Sequence, residues 1–344
     1  MHNRFLAAGT VAVAIALAAS ARGLVAQSTA KPAAKLTGPT APAGKPAAAK
    51  ARAVPRTPWG DPDLQGVWTS DEESGVAFER PAGLGGKEVL EGEELDRALE
   101  QRAEQRAEAA PLAGGETGAG PTHWYENWGR KSPRTSFVID PPDGRIPALT
   151  DEAQQRQAAR AQARARSGRG PSDSWEDRSL YDRCITRGLP AVMFPTIYNN
   201  NSRIVQGPGY VAITYEMIHE TRLVPLDGRP HVPAHVRMLM GDARGHWEGD
   251  TLVVDTTNFT DRTNYRGSGE TLHLIERFTR GDQSLRYEVS VNDPHTFVKP
   301  WTAALNLTPT SNLYEYGCHE GNYAMKNMLS AARSEEKQAA AAVK

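Results

Sequence analysis

Cysteine is almost absent from this chain of 344 residues, which holds only Cys184 and Cys318. Without a CxxC pair there is little basis for a cysteine-built zinc site. A segment long enough to cross a bilayer is missing too. Residues 5–19 are apolar but fall short of the roughly 20 residues a membrane-spanning helix needs, and no later run is apolar enough. Net charge is nearly nil, with 40 Lys and Arg against 41 Asp and Glu. That argues against a nucleic-acid binder relying on a bulk positive field and points to a small or neutral partner. No HExxH, GxSxG or GxGxxG pattern occurs, which removes the common zinc-protease, α/β-hydrolase and dinucleotide-binding readings but not enzymes in general. There is no internal repeat, and nothing identifies a cofactor or an oligomeric state.

What is present begins with an export signal. Arg4, the apolar run and the small-residue stretches Ala19-Ser20-Ala21 and Leu24-Val25-Ala26 make residues 1–26 a cleavable secretory leader, with a retained anchor as the alternative. No cysteine follows it, so lipidation is not expected. Residues 27–58 are rich in Ala, Pro and Lys and lack hydrophobic periodicity, as expected of a tether that cannot bury enough to fold. Lys31, Lys35, Lys45, Lys50, Arg52 and Arg56 are then either solvated or in peripheral contact with an anionic envelope surface. A periplasmic or secreted location makes a Cys184–Cys318 disulfide the natural pairing. The competing readings are two separate buried thiols, or Cys318 and His319 as metal ligands.

Glycine and proline, at 31 and 24 residues, indicate many turns and favour β-structure. A single β-rich domain is expected over residues 59–333, with a helical insertion at about 88–170 and an Ala-rich tail at 334–344. The turn Glu248-Gly249-Asp250 sits between Gly245-His246-Trp247 and the β-branched run Leu252-Val253-Val254, a hairpin signature. Strand-like segments crowd residues 203–307, separated by turns such as Gly207-Pro208-Gly209, Asp227-Gly228 and Gly281-Asp282. Leu285, Tyr287, Val289 and Val291 alternate with Arg286, Glu288, Ser290 and Asn292, giving that strand one dry and one polar face. The fold expected is an antiparallel meander curved into a barrel or half-barrel. Its polar strand faces meet solvent or line an interior cavity. Helices are expected at 88–110 and from a Thr150 cap to about Ser167, with the aromatic group His123-Trp124-Tyr125 and Trp128 between them.

Two acid–histidine pairs are the candidate catalytic residues: His219 with Glu220, and His319 with Glu320. Neighbours on a strand point to opposite faces, so convergence needs a bulge or loop; the glycines around His319 favour one. A His held by a carboxylate serves as a general base. If the disulfide forms, it ties the loop carrying Arg183 and Arg187 against His319 and Glu320, placing two cations to hold an anionic or carbonyl-bearing ligand. Asp255, Arg277 and His231 are further ligand-binding candidates. His231 and His235 are four apart, but Pro230 and Pro233 oppose the helix on which they would share a metal, so no metal site is expected.

The blocks Pro62-Asp63-Leu64-Gln65-Gly66-Val67-Trp68, Arg183-Cys184-Ile185-Thr186-Arg187-Gly188-Leu189-Pro190, Trp247-Glu248-Gly249-Asp250-Thr251-Leu252-Val253-Val254, Glu276-Arg277-Phe278-Thr279-Arg280 and Cys318-His319-Glu320-Gly321-Asn322-Tyr323 together resemble an uncharacterised family of exported bacterial proteins. The resemblance covers most of residues 59–333 and implies no activity. A weaker resemblance to lipocalin-type barrels rests on Gly66, Trp68 and strand order; it implies that Trp68 closes the barrel floor. Residues 88–201 depart from that pattern. The function expected is binding, with modification as an extension, of a small apolar or amphipathic molecule in a β-barrel cavity lined by aromatics and a few charges. Alternatives are a secreted hydrolase, lyase or isomerase using a His–carboxylate pair, and a structural envelope protein without a small ligand.

Overall fold

The computed structural model describes residues 54–109, 131–263, 265–318 and 323–342. Its body is one antiparallel sheet. The strands are β1 (Gly66–Thr69), β2 (Val138–Asp140), β3 (Asn201–Gly207), β4 (Tyr210–Tyr215), β5 (Thr221–Pro225), β6 (Asp242–Glu248), β7 (Thr251–Thr257), β8 (His273–Arg280), β9 (Leu285–Asn292) and β10 (Trp301–Pro309). Their order is β5-β4-β3-β1-β10-β9-β8-β7-β6, with β2 paired separately to β10. Among the described residues the helices are α1 (Gly92–Ala109), α2 (Asp151–Ser167) and α3 (Ala324–Ala342), the first two falling between β1 and β3 as expected of the insertion.

The order makes the sheet nearly close on itself. Every pairing along the path is antiparallel, so strand direction alternates around the ring from β5 through β1 to β6. With nine strands on that path the two ends run the same way. A parallel seam cannot be joined by a tight hairpin and needs a crossover of roughly a dozen residues or more. Residues 226–241 supply that connection. The seam is packed: a Cβ added to Gly245 of β6 would lie 2.7 Å from Val224 Cγ1 of β5, so a glycine is what lets the two strands approach.

The period-two pattern of β9 places Leu285, Tyr287, Val289 and Val291 inside, all fully buried. The same phase in β8 sends Leu274, Glu276 and Phe278 inward, and in β10 Trp301, Ala303, Leu305 and Leu307. These join Ile204, Ile213, Val224, Leu252 and Val254 in one continuous core. The interior is therefore filled by side chains, and the mixed polar faces of the strands look outward. Glu276 is a charged exception, and Ser202, Gln206, Arg222 and Thr256 are buried strand residues with polar side chains too. Glu276 is fully buried and meets Arg222 of β5 through two bonds, Nη1 to Oε2 at 2.6 Å and Nη2 to Oε1 at 2.8 Å. Tyr287 donates its hydroxyl to Glu276 Oε1 at 2.9 Å.

The β6–β7 hairpin forms at the expected turn: Glu248 pairs with Thr251, and Gly249 takes φ +60°. Thr150 caps α2 by accepting from the Ala153 N–H at 3.1 Å, and Gly168 ends it in the left-handed conformation. Trp68 is buried, donates Nε1–H to the Leu64 carbonyl at 2.9 Å and lies beneath the Arg280 guanidinium, 4.6 Å from its ring. The expected boundary at residue 59 shifts earlier. Asp63 N–H bonds to the Pro55 carbonyl at 2.8 Å, Thr57 is buried and Arg56 pairs with Asp250, so the folded part includes residues 55–58. Local composition hid this because the ties are backbone bonds and a distant ion pair rather than apolar contacts. At the other end α3 carries helix through the expected tail to Ala342. Residues 1–26 and 123–128 lie outside the described residues.

Candidate functional site

The expected binding cavity inside the barrel is corrected: buried side chains of the strands occupy the interior, and the space for a ligand lies beside the sheet. A cavity of about 890 Å³ opens where β1 and β4 end and β3 begins. Its walls come from the loop before β3, the turn at Glu216, the chain after β10 and the first part of α3. These segments have no shared sheet register to hold them, and the disulfide does part of that work. Cys184 and Cys318 are bonded, with Cα atoms 5.9 Å apart and a sequence separation of 134. The expected pairing is present, and it pins the loop to the chain after β10.

Tyr181, Tyr198, Tyr314 and Tyr316 line this cavity together with Glu216 and the run Asn199-Asn200-Asn201. The Tyr181 and Tyr198 hydroxyls are 3.4 Å apart. Burial pushes both phenols up, Tyr198 to about 12 with added help from its bond with Tyr181. Tyr316 is likewise raised by burial. The hydroxyls therefore keep their protons at neutral pH and remain able to donate. On the other side of the Tyr181–Tyr198 pair a second cavity, of about 620 Å³, is walled by Gly75, Val76, Arg187 and Pro195. Burial lowers the Arg187 pKa, and the three tyrosine oxygens oppose that shift.

Glu216 is the unusual member. Only 2% of its surface is exposed. Its Oε1 accepts from Asn199 Nδ2 at 3.0 Å and from the Tyr314 N–H at 3.1 Å, while Oε2 is buried without a hydrogen-bond partner among the described residues. The backbone around it is also unusual. Cys184, Asn199, Ile218 and His219 take φ of 55°, 53°, 65° and 48°. Left-handed backbone in non-glycine residues costs about 1–3 kcal/mol each and collects at sites where geometry is imposed by function.

The expected site residues divide. Arg187 stands at the paired cavities, but Arg183 does not join it: its guanidinium lies over Trp175, 4.6 Å from the ring. His219 directs Nδ1 to the Tyr316 carbonyl at 3.2 Å, whereas Glu220 accepts from Thr186 Oγ1 at 2.5 Å. The two neighbours thus turn to different partners across the change from left-handed backbone at His219 to extended backbone at Glu220. Burial raises the Glu220 pKa, against the opposing Thr186 bond. His319 and Glu320 lie outside the described residues.

Asp255, His231 and Arg277 belong to another region, around β6, β7 and β8. Asp255 Oδ1 faces His231 Nε2 at 3.2 Å and His273 Nε2 at 2.9 Å, and His231 Nδ1 faces Asp242 Oδ2 at 2.9 Å. Arg277 pairs with Glu248 across the β6–β7 hairpin. Among the described residues no group of three or more His, Cys, Asp or Glu is placed to hold a metal ion. Sequence reasoning had passed over Tyr181, Tyr198, Tyr314 and Tyr316. The signal available was the density of Tyr and Asn in 198–201 and 314–316, on segments far apart in sequence.

No model of a known protein family matches the chain, and no curated protein matches it.

Proposed function

We propose that the protein is an exported binding protein that holds a small amphipathic molecule in the tyrosine-lined cavity beside its barrel. The observation that carries this reading is the cavity itself: about 890 Å³, set against a filled sheet interior and walled by segments that a disulfide ties together. That volume suits a small ligand, and phenol rings offer apolar faces with donor hydroxyls at their tips. The core leaves the barrel to serve as a scaffold, with the binding groups on loops at its edge. A leader-like N-terminal sequence and the use of both cysteines in a bridge support export. Proton transfer by His219 held by Glu220 is not supported, because the two are engaged with different partners.

Gly317 lines the cavity, and a Cβ added there meets no heavy atom within 4 Å. A Gly317→Trp replacement therefore meets no clash at Cβ and adds an indole at the cavity wall. Titration with N-phenyl-1-naphthylamine, a neutral apolar fluorophore, is expected to saturate on the wild-type protein and to fail on Gly317→Trp at unchanged thermal stability. Equal saturation on both proteins would overturn the placement.

A further inference from the structure

We propose that the second cavity, beyond the Tyr181–Tyr198 pair, is a binding site of its own for a carboxylate carried on an apolar body, with Arg187 as the cation that holds it. The site goes beyond the binding reading above and does not depend on it. Arg187 is partly buried at the wall of this cavity. Among the described residues its guanidinium makes no hydrogen bond and no ion pair. The buried side-chain nitrogens that lack a partner all lie on other residues, so those of Arg187 are reached by solvent. Its backbone is well anchored. Thr186 and Gly188 on either side are buried, and Thr186 Oγ1 accepts from the Gly188 N–H at 3.0 Å while donating to Glu220 Oε2 at 2.5 Å. Glu220 is thereby engaged away from Arg187.

The surroundings leave the positive charge unbalanced. Arg187 is the one charged lining residue of the cavity among the described residues, and Gly75, Val76, Pro195 and Ile197 give it an apolar wall. The ionisable groups that bear on Arg187 are the phenols of Tyr181, Tyr198 and Tyr316, which burial keeps protonated at neutral pH. Tyr181 can serve as a second donor. Its hydroxyl has only long contacts, 3.4 Å to the Tyr198 hydroxyl and 3.5 Å to Met217 Sδ, a weak acceptor that a carboxylate oxygen would replace with gain. A cation partly removed from water and given no acceptor is costly, and a bound anion offsets that cost. An ammonium head would meet a like charge here. A neutral head would forgo bonds that are roughly twice as strong when a partner is ionised. The planar guanidinium fork matches a carboxylate through two parallel bonds, and a single cation balances a single negative charge.

Isothermal titration of the full-length protein with 4-phenylbutyrate and 4-phenylbutan-1-ol tests the assignment. The acid is expected to bind about tenfold or more tightly than the alcohol. Arg187→Met keeps an unbranched apolar stem and removes the charge. It is expected to bring the acid down to the affinity of the alcohol while leaving the alcohol unchanged. Gly317 lines the first cavity and not the second, so Gly317→Trp is expected to leave the acid's affinity as it is. Equal affinity for acid and alcohol, no binding of the acid, or acid binding that survives Arg187→Met overturns the site. Loss of acid binding in Gly317→Trp would put the acid in the first cavity and overturn it as well. Should Arg187→Met fail to fold, the acid-to-alcohol ratio on the wild type and on Gly317→Trp decides. The naphthylamine titration reports on the first cavity separately, so either reading can fall alone.

Discussion

Replacing Glu276 by Gln is the sharpest perturbation of the scaffold. Glu276 is fully buried and Arg222 is 6% exposed, and the pair is joined by bonds of 2.6 and 2.8 Å. Burial alone works to strip the Arg222 proton, but the opposing charge of Glu276 outweighs it and raises the pKa, so the guanidinium stays charged. The amide removes that compensation and one of the two acceptor oxygens, stranding a cation among apolar side chains. Breaking a buried pair from one side costs about 3–5 kcal/mol. In a domain of this size that corresponds to a fall in Tm on the order of 10 °C. Removing both charges, as in Arg222→Met with Glu276→Leu, strands no charge. It leaves the Tyr287 hydroxyl to find a new partner, at about 1–3 kcal/mol, and costs the Thr256 hydroxyl a long bond of 3.5 Å. Urea denaturation followed by tryptophan fluorescence is expected to rank the wild type and the double variant close together, with Glu276→Gln well below both. A cost under about 1 kcal/mol for Glu276→Gln, or a double variant as unstable as the single one, would refute the reasoning.

The bridge and the buried acid give two further tests. The disulfide spans 134 residues, and the chain-entropy relation makes its loss worth about 5 kcal/mol at most, so Cys184→Ser with Cys318→Ser is expected to lower the urea midpoint and weaken probe binding in the cavity; full probe affinity in the double variant would show that the loop holds its place without the bridge. Glu220 has a pKa raised by burial from its ordinary 4.5, so its charged form is disfavoured in the folded state. Below that ordinary value both states are protonated and the penalty is absent; stability is lost as pH rises from there through the folded value. Glu220→Gln is therefore expected to gain on the wild type between pH 4 and pH 7 in paired denaturation curves, and parallel curves would contradict the shift.

Local periodicity made much of the barrel legible. The alternation in 285–292 and the turn at Gly249-Asp250 are signals carried by a few adjacent residues, and the strands form where those signals lie. Thr221–Pro225 has the bounds its flanking residues imply. The burial of Glu276 was also present in the phase, since it shares the inward positions of Leu274 and Phe278, but a charge in mid-strand reads as outward unless its partner is known. That partner, Arg222, lies 54 residues earlier and at the far end of the strand order. The seam between β5 and β6 depends on the parity of the whole ring, which no single strand carries. The cavity was least legible. Its walls are loops without period, brought together by a bridge and by backbone contacts such as Tyr314 N–H to Glu216. The even cysteine count pointed to the right pair of segments, yet not to the tyrosines or the carboxylate between them.

The central claim, that the tyrosine-lined cavity holds a small molecule, is met most directly by native mass spectrometry of the protein purified from its own host, wild type beside Gly317→Trp. The account predicts a retained small amphipathic molecule on the wild type that is absent from the folded variant. A variant that retains the same molecule, or a wild type that carries none and takes up none of the titrated probes, would contradict it.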